Sequence, residues 1–264
     1  MGALAIALSG CSVTDRYLPK LLPGETIARV RGVTALAIGP DNATYYALAN
    51  GEVYSLVTRP ARLVAQFPTA RLDSIAFSPN GVLYGAYLDS RGVSVAAWKN
   101  GAANSLIQTG AAGRGDIVFD STGRLLLGVG NRIVDTQGAT VSASWHSPEL
   151  VPGRGNRLWV VDDAPGNAKD FVARGRETNA TKRRRFASAL PEGTRPADVT
   201  IRNDELLVCD RRAGTVYRLH IGLDDVARRR SALKNVKCQT AIVVSPDNSV
   251  ITATDNAILR YGAR

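Results

Sequence analysis

Four acidic residues recur along the chain, each just before a short run of apolar residues. They are Asp73, Asp116, Glu149 and Asp198. A cation or an imidazole lies two or three residues before each of them: Arg71, Arg114, His146 and Arg195. Carboxylates can bind sugar hydroxyl groups, and a guanidinium binds an anionic group through paired hydrogen bonds. The pattern predicts a site for a polyhydroxyl or anionic ligand, formed by Asp73, Arg114, Asp116, His146, Glu149, Arg195 and Asp198. The alternative is structural, with the same side chains forming salt bridges and turn caps.

Residues suited to catalysis are few. His146 is the only imidazole expected near this ring, and an imidazole is the usual general base near neutral pH. The sequence contains no nucleophile elbow, phosphate-binding loop or zinc-type Cys/His cluster. We therefore assign no catalytic residue, and His146 is the only candidate base if the protein is an enzyme.

Oxygen-bearing side chains also follow many of the apolar runs. They are Asn50, Asp89, Asn131, Asp162, Asp163, Asp210 and Asp255. Calcium binds six to eight oxygen ligands, whereas Asp and Asn in turns usually bond their own backbone. The cofactor stays unassigned, with calcium as the alternative to simple turns.

The elements that carry these residues form a repeat. Its first apolar residues are Leu36, Ile75, Ile117, Leu150, Val199 and Ile242, at spacings of 39, 42, 33, 49 and 43 residues. Each copy continues with a turn rich in Pro, Asp, Asn or Gly and with further short strands. A period near 40 built from four short strands indicates a β-propeller. We predict an all-β, six-bladed propeller over residues 25–264.

The last repeat supplies only three strands before the chain ends. Residues 25–30 precede the first repeat and belong to no other, so we expect them to complete the last blade and close the ring. In such a ring, the starts of the first strands and the ends of the second strands share one face.

These repeats resemble those of the NHL-repeat, gluconolactonase-like and sorbosone (glucose) dehydrogenase-like propellers. The stretch from Arg195 to Arg218, Arg-Pro-Ala-Asp-Val at its start and Leu-Leu-Val-Cys-Asp later, is the most similar to the sugar dehydrogenase-like blade. The resemblance implies a sugar- or lactone-acting enzyme. The metal ligands of gluconolactonases do not carry over, because Thr34 lies near the place of their glutamate and no Asn begins a repeat. Quinone-dependent dehydrogenases use a His base, for which His146 is the only candidate.

The composition limits the partners. Of the 264 residues, 45% are hydrophobic and 21% are charged, as in ordinary globular proteins. A net charge of +10 favours anionic partners. Aromatic residues make up only 6%, too few for a protein that stacks single-stranded bases, so nucleic acid is not an expected partner.

The first eleven residues resemble a bacterial lipoprotein signal. An apolar stretch ends in Leu8-Ser9-Gly10-Cys11, which matches the motif whose cysteine is lipidated after cleavage. A basic beginning is missing, which we attribute to a start site further upstream. We expect residues 1–11 to be the signal, 12–24 a tether, and the protein to be exported and anchored on the periplasmic or cell-surface side. The alternative is an apolar strand with a chance cysteine.

Two further expectations follow from export. Cys209 and Cys238 lie on the same face of neighbouring repeats and should form a disulfide in an oxidising compartment, or else remain buried thiols. Basic runs at residues 182–185 and 228–230 fall on the outermost strands of neighbouring blades. They are expected to bind anionic lipid headgroups, or to be solvated cations that prevent edge pairing.

The sequence therefore predicts a lipid-anchored propeller that binds a ligand or a protein partner at its channel mouth without catalysis. The alternative is a divergent sugar- or lactone-acting enzyme that depends on a quinone or a metal.

Overall fold

A computed structural model describes most of the chain beyond the N-terminal segment. The described residues are 21–69, 71–143, 145–152, 157–162, 171–175, 184–186, 190–191, 193–203, 205–221 and 227–262. Their regular structure consists of β-strands. Among them there is no helix long and apolar enough to cross a membrane.

The strands are short and follow one another closely. In chain order they are β1 (Glu25–Arg29), β2 (Val33–Ile38), β3 (Thr44–Leu48), β4 (Glu52–Ser55), β5 (Arg62–Gln66), β6 (Leu72–Phe77), β7 (Leu83–Asp89), β8 (Gly92–Lys99), β9 (Ala102–Gln108), β10 (Gly115–Phe119), β11 (Leu125–Val129), β12 (Arg132–Asp135), β13 (Thr140–Ala143), β14 (Pro148–Pro152), β15 (Arg157–Asp162), β16 (Phe171–Gly175), β17 (Arg184–Phe186), β18 (Pro196–Arg202), β19 (Glu205–Asp210), β20 (Thr215–Ile221), β21 (Ala227–Lys237), β22 (Ala241–Val244), β23 (Val250–Ala253) and β24 (Ala257–Tyr261).

Within the described part of the chain, the strands form six four-stranded antiparallel sheets. Sheets 1 to 5 are β2–β5, β6–β9, β10–β13, β14–β17 and β18–β21, each in chain order. Sheet 6 consists of β22, β23, β24 and β1. The predicted closing strand is therefore present, with Glu25 opposite Arg260 and Arg29 opposite Ala257.

The sheets are joined in a ring through their innermost strands. β2 packs against β6, β6 against β10, β10 against β14, β14 against β18 and β18 against β22, and β22 returns to β2. This arrangement is a β-propeller, and the predicted all-β propeller fold is confirmed.

Local sequence explains the turns between the first two strands of a sheet. Asn42 and Asn248 both adopt φ 62°, a left-handed conformation that Asn tolerates better than most residues. The neighbouring carboxylates fix these turns, because Asp41 Oδ1 accepts the N–H of Ala43 at 3.1 Å and Asp247 Oδ1 accepts that of Ser249 at 3.0 Å.

The core lies between the sheets. In β11, Leu127 is fully buried in a cluster with Val93 of sheet 2, whereas Leu126 packs on the other side with Leu150 of sheet 4. Burying each such side chain contributes about 2 kcal/mol. The inner strands are therefore apolar on both faces, and their starts are held at fixed positions around the axis.

Candidate functional site

A cavity of about 250 Å³ lies between the inner strands. Its charged lining residues all come from the start of an inner strand or from just before it: Asp73, Arg114, Asp116 and Asp198. The other lining residues mostly carry apolar side chains, with Ser74 and Thr200 as the hydroxyl groups, and the inner strands also present backbone polar groups because each is the edge of its sheet. The apolar side chains include Leu36, Ile75, Phe77, Ile117, Phe119, Leu150, Val199 and Ile242. The charged side chains of the cavity thus lie together at one end.

Side-chain oxygens at the charged end join neighbouring sheets. Ser74 Oγ donates to Asp116 Oδ1 at 2.8 Å and accepts the N–H of Ile117 at 3.3 Å. Asp116 Oδ2 in turn accepts the N–H of Leu150 in sheet 4. Each of these contacts connects the start of one inner strand to the start of the next.

Two more carboxylates have the same role. Asp198 Oδ2 accepts the N–H of Ile242 in sheet 6 at 2.8 Å. Asp73 Oδ2 accepts the N–H of Gly115 at 3.1 Å, while its Oδ1 accepts Arg71 Nε at 2.8 Å. For Asp73, Asp116 and Asp198, the contacts are those of the structural alternative stated for the sequence, although all three also line the cavity.

Glu149 departs from this pattern. It precedes Leu150 as Asp116 precedes Ile117, but its longer side chain does not bond to the next strand, and the N–H of Val199 bonds to Asp198 Oδ1 instead. Glu149 Oε1 accepts Arg114 Nη1 at 2.9 Å, and the same nitrogen donates to the carbonyl of Ala197. Glu149 Oε2 has no hydrogen-bond partner among the described residues, although Glu149 is only 2% exposed.

Burial and mutual repulsion alter the acidity of this cluster. Burial, assisted by the charge of Asp116, raises the pKa of Asp198 to about 7. Burial raises the pKa of Asp116 and raises that of Glu149 well above its usual value, against the effect of Arg114. Burial alone would lower the pKa of Arg114, but the surrounding carboxyl groups raise it.

His146 and Arg195 lie apart from this cluster. Both are exposed, and neither belongs to the cavity lining. Arg195 immediately precedes β18, and its backbone N–H donates to Asp210 Oδ1 at 3.1 Å. The structure therefore brings together Asp73, Arg114, Asp116, Glu149 and Asp198, and leaves His146 and Arg195 outside.

Three of the seven oxygen-bearing residues that follow the second strands bond their own turns. Asp89 Oδ1 accepts the N–H of Arg91 at 2.7 Å, Asp210 Oδ1 accepts that of Arg212 at 2.9 Å, and Asn50 Oδ1 accepts that of Glu52 at 3.3 Å. Within the described ranges, no group of three or more His, Cys, Asp or Glu residues is arranged to hold a metal ion. The side chain of Asp162 and the whole of Asp163 lie outside the described residues.

The sequence did not reveal Ser74 as a member of the ring, nor the unpartnered oxygen of Glu149. Ser74 occupies the position in sheet 2 that Asp116 occupies in sheet 3, and aligning the repeats by their first apolar residue identifies it. The partner of Glu149 could not be found in this way, because Arg114 lies 35 residues away in another sheet.

Cys209 and Cys238 form a disulfide in the structure, with a Cα–Cα distance of 5.5 Å. It joins the second strand of sheet 5 to the segment that leads into sheet 6, close to the charged end of the inner strands. Cys11 and residues 182–183 lie outside the described residues. The side chains of residues 184–185 and 228–230 also lie outside them, although their backbones belong to β17 and β21.

Solved structures with the same fold are numerous and distant in sequence. A putative oxidoreductase (glucose dehydrogenase) from Thermus thermophilus is 15% identical, with a TM-score of 0.71 over 91% of this chain and 99% of its own. The PQQ-bound aldose sugar dehydrogenase of Streptomyces coelicolor is 11% identical, with a TM-score of 0.74 over 93% and 98%. A gluconolactonase from Xanthomonas campestris is 12% identical, with a TM-score of 0.71 over 95% and 96%.

No protein-family model and no curated protein matches the chain by sequence. At these identities, the similarity establishes the propeller fold alone. The residues present also do not fit PQQ, because that quinone carries carboxylates of its own and the cavity presents Asp73, Asp116 and Asp198 against Arg114.

Proposed function

We propose that this protein is a non-catalytic, six-bladed propeller that binds a small ligand in its central cavity. One observation carries the proposal: the cavity has charged groups at one end, yet those groups are held by inter-sheet hydrogen bonds and not by a catalytic arrangement. A concave, mostly apolar site with a few convergent polar groups is typical of ligand binding.

The contacts at the charged end support binding over turnover. A general base must reach the substrate proton within hydrogen-bond distance, and the exposed His146 is not part of the lining. Asp116 and Asp198 each accept backbone N–H groups from neighbouring sheets. A carboxylate held in this way binds and orients a ligand without having to move.

The second candidate is a divergent sugar- or lactone-acting enzyme, favoured by the names of the structurally similar proteins. To separate the two, the purified protein would be incubated with aldoses and sugar lactones, with and without divalent metals and a quinone. We expect melting shifts from bound ligands and no turnover. Turnover that is lost in His146→Ala and kept in His220→Ala would establish the enzyme instead.

We also propose that the protein is exported and anchored through Cys11. The Leu8-Ser9-Gly10-Cys11 motif supports this proposal, and the Cys209–Cys238 disulfide suits an oxidising compartment. Expressed in a bacterium with a complete lipoprotein signal, the protein should partition with membranes, and Cys11→Ser should be released. Equal membrane binding and normal processing of Cys11→Ser would contradict the anchor.

A further inference from the structure

The N-terminal segment enters the ring at the end opposite the charged end of the cavity. The inner strand of sheet 6, β22, starts at the charged end, and the order β22–β23–β24 makes β24 finish at the other end. β1 is antiparallel to β24 and begins with Glu25 opposite Arg260. Beyond the strands, the N–H of Leu22 donates to the carbonyl of Gly262 at 2.9 Å. A chain anchored through Cys11 therefore reaches the propeller at this end, which we call the tether end.

The hairpin formed by β4 and β5 of sheet 1 turns at the tether end as well. β4 runs in the same direction as the inner strand β2, so β4 finishes at this end and β5 begins there. Leu56 and Ala61 of the turn pack against the same core cluster as Ile27 and Ala28 of β1. Residues 56–63, which we call the sheet 1 hairpin, are therefore direct neighbours of the strand that leads to the tether.

The sheet 1 hairpin exposes apolar and basic side chains together. Val57 is 63% exposed and Leu63 is 48% exposed. Arg59 and Arg62 are exposed as well, and no carboxylate in the described part of the chain forms an ion pair with either. The hairpin contains no acidic residue. Single exposed apolar residues are ordinary on a surface, but apolar side chains beside unpaired cations are the composition of a segment that binds at a lipid interface.

We propose that the sheet 1 hairpin docks on an anionic lipid surface, with Val57 and Leu63 among the headgroups and Arg59 and Arg62 on the lipid phosphates. A guanidinium binds a phosphate through paired hydrogen bonds. The proposal rests on the proposed anchor at Cys11, which brings the tether end to the membrane. The charged end of the cavity then faces away from the membrane.

The length of the tether and the charge beside it favour lipid as the partner. Eleven residues of chain from Cys11 to Leu22 span at most about 40 Å when fully extended, so an anchored protein keeps the hairpin within reach of the bilayer. On the other side of sheet 6, β21 of sheet 5 begins at the tether end, with Ala227 opposite Ile221. The backbone of the basic run at residues 228–230 therefore lies at the tether end, and this run and the hairpin flank the tether strand.

Tryptophan fluorescence of the full chain, expressed without lipidation, tests the proposal. Val57→Trp places a reporter in the hairpin. Leu106→Trp is the matched control, because Leu106 is also 50% exposed but lies on β9 of sheet 2. Each variant is mixed with vesicles of phosphatidylglycerol and phosphatidylcholine, with or without bromine on the acyl chains. We expect bromine to quench the emission of Val57→Trp and to leave that of Leu106→Trp at the level of the parent.

Co-sedimentation with the same vesicles measures the contribution of the two cations. Arg59→Ser/Arg62→Ser should weaken binding about 30-fold, since each cation near an anionic surface contributes about fivefold. Arg31→Ser/Arg91→Ser removes the same charge from two exposed residues at the charged end and should bind as the parent does, because these cations stay beyond the reach of the lipid charge.

Three outcomes would overturn the proposal. They are equal quenching of the two Trp variants, equal weakening by the two pairs of Arg substitutions, and equal binding to vesicles of phosphatidylcholine alone. No binding to anionic vesicles at low salt would overturn it as well and would favour an acidic protein surface as the partner. Because the tested chain carries no lipid, each of these results leaves the anchor standing, and Cys11→Ser in cells decides the anchor separately.

Discussion

Arg114 is the side chain on which the charged end of the cavity depends. Its side chain is 19% exposed, and it bonds to Glu149, whose side chain is 3% exposed, and to the carbonyl of Ala197 in sheet 5. Sheets 3, 4 and 5 therefore meet at one guanidinium. Removing one partner of a buried ion pair leaves an uncompensated charge, which costs more than the pair contributes.

We predict that Arg114→Met lowers the free energy of unfolding by about 3 kcal/mol at pH 8. The loss should be smaller at pH 5, where the raised pKa values of Asp116 and Glu149 let these carboxyl groups become neutral. Urea unfolding at both pH values measures this. Arg91→Met is the control, because the side chains of Arg91 and its partner Asp89 are 69% and 19% exposed and an exposed pair contributes less than about 1 kcal/mol. Equal losses in the two variants would contradict the role given to Arg114.

Asp198 should make stability depend on pH near neutrality. Its pKa is raised to about 7 in the folded protein, so the folded state binds a proton more tightly than the unfolded chain does. Its contribution to stability is therefore full below the unfolded pKa and is lost as the pH rises through about 7. Between pH 5 and pH 7.5, the free energy of unfolding of the parent protein should fall by about 2 kcal/mol relative to that of Asp198→Asn. Urea unfolding at several pH values measures this. If the free energy of unfolding depends on pH in the same way in both proteins, Asp198 does not titrate in this range.

At the scale of elements, the contacts between sheets matter more than those within them. Each sheet is a simple antiparallel meander, and its inner strand is apolar on both sides. Sheet 6 differs because its outermost strand, β1, comes from the other end of the described chain. Pairing of β1 with β24 brings the two ends of the described chain into one sheet, so the ring cannot open without breaking that ladder.

The Cys209–Cys238 disulfide is a second link between elements, and its two cysteines are 29 residues apart in the sequence. A loop of this size corresponds to about 3–4 kcal/mol of stabilisation in the chain-entropy account. We predict that the double variant Cys209→Ala/Cys238→Ala unfolds with a free energy about 3 kcal/mol lower, measured by urea titration without reductant. Adding reductant should lower the stability of the parent toward the variant and leave the variant unchanged. If reductant leaves the free energy of unfolding of the parent protein unchanged, the disulfide does not form.

At the scale of the whole molecule, the net charge of +10 and the proposed anchor act together. The runs at residues 182–185 and 228–230 contain seven cations. Residues 184–185 belong to β17 and residues 228–230 to β21, the outermost strands of sheets 4 and 5. Cations near an anionic membrane surface each contribute about 1 kcal/mol. We propose that the protein, anchored at its N-terminus, lies on the membrane by this rim and leaves the cavity accessible to a ligand.

We predict that a form lacking residues 1–11 binds anionic vesicles at low salt and is released at high salt, measured by co-sedimentation. Changing the Arg residues of both runs to Ser should abolish the binding, since screening and charge removal act on the same interaction. Neutral vesicles are the control and should not bind. If binding is undetectable at low salt or is unchanged by the substitutions, these cations do not bind the membrane. They would then be solvated side chains that prevent pairing between sheet edges.

The fold of this protein could be predicted from its sequence because the signals are local. A turn such as Pro40-Asp41-Asn42 needs only its own residues to form, and strands of alternating small and large apolar residues follow at a regular distance. The sequence also predicted that residues 25–30 complete the last sheet, because only the last repeat lacked a fourth strand. The pairing of Cys209 with Cys238 could be predicted because the repeat places both on one face.

The site was decided by the tertiary structure. The sequence placed seven residues in one ring, but the direction in which each side chain points depends on how neighbouring sheets are rotated about the axis. That rotation turned Asp116 and Asp198 toward the N–H groups of the next strands and brought Arg114 to Glu149, while His146 and Arg195 stayed exposed. The sequence repeat thus determined which residues begin the inner strands. Only the packing of the sheets determined which of these residues face the cavity, because that packing brings together residues that are far apart in the chain.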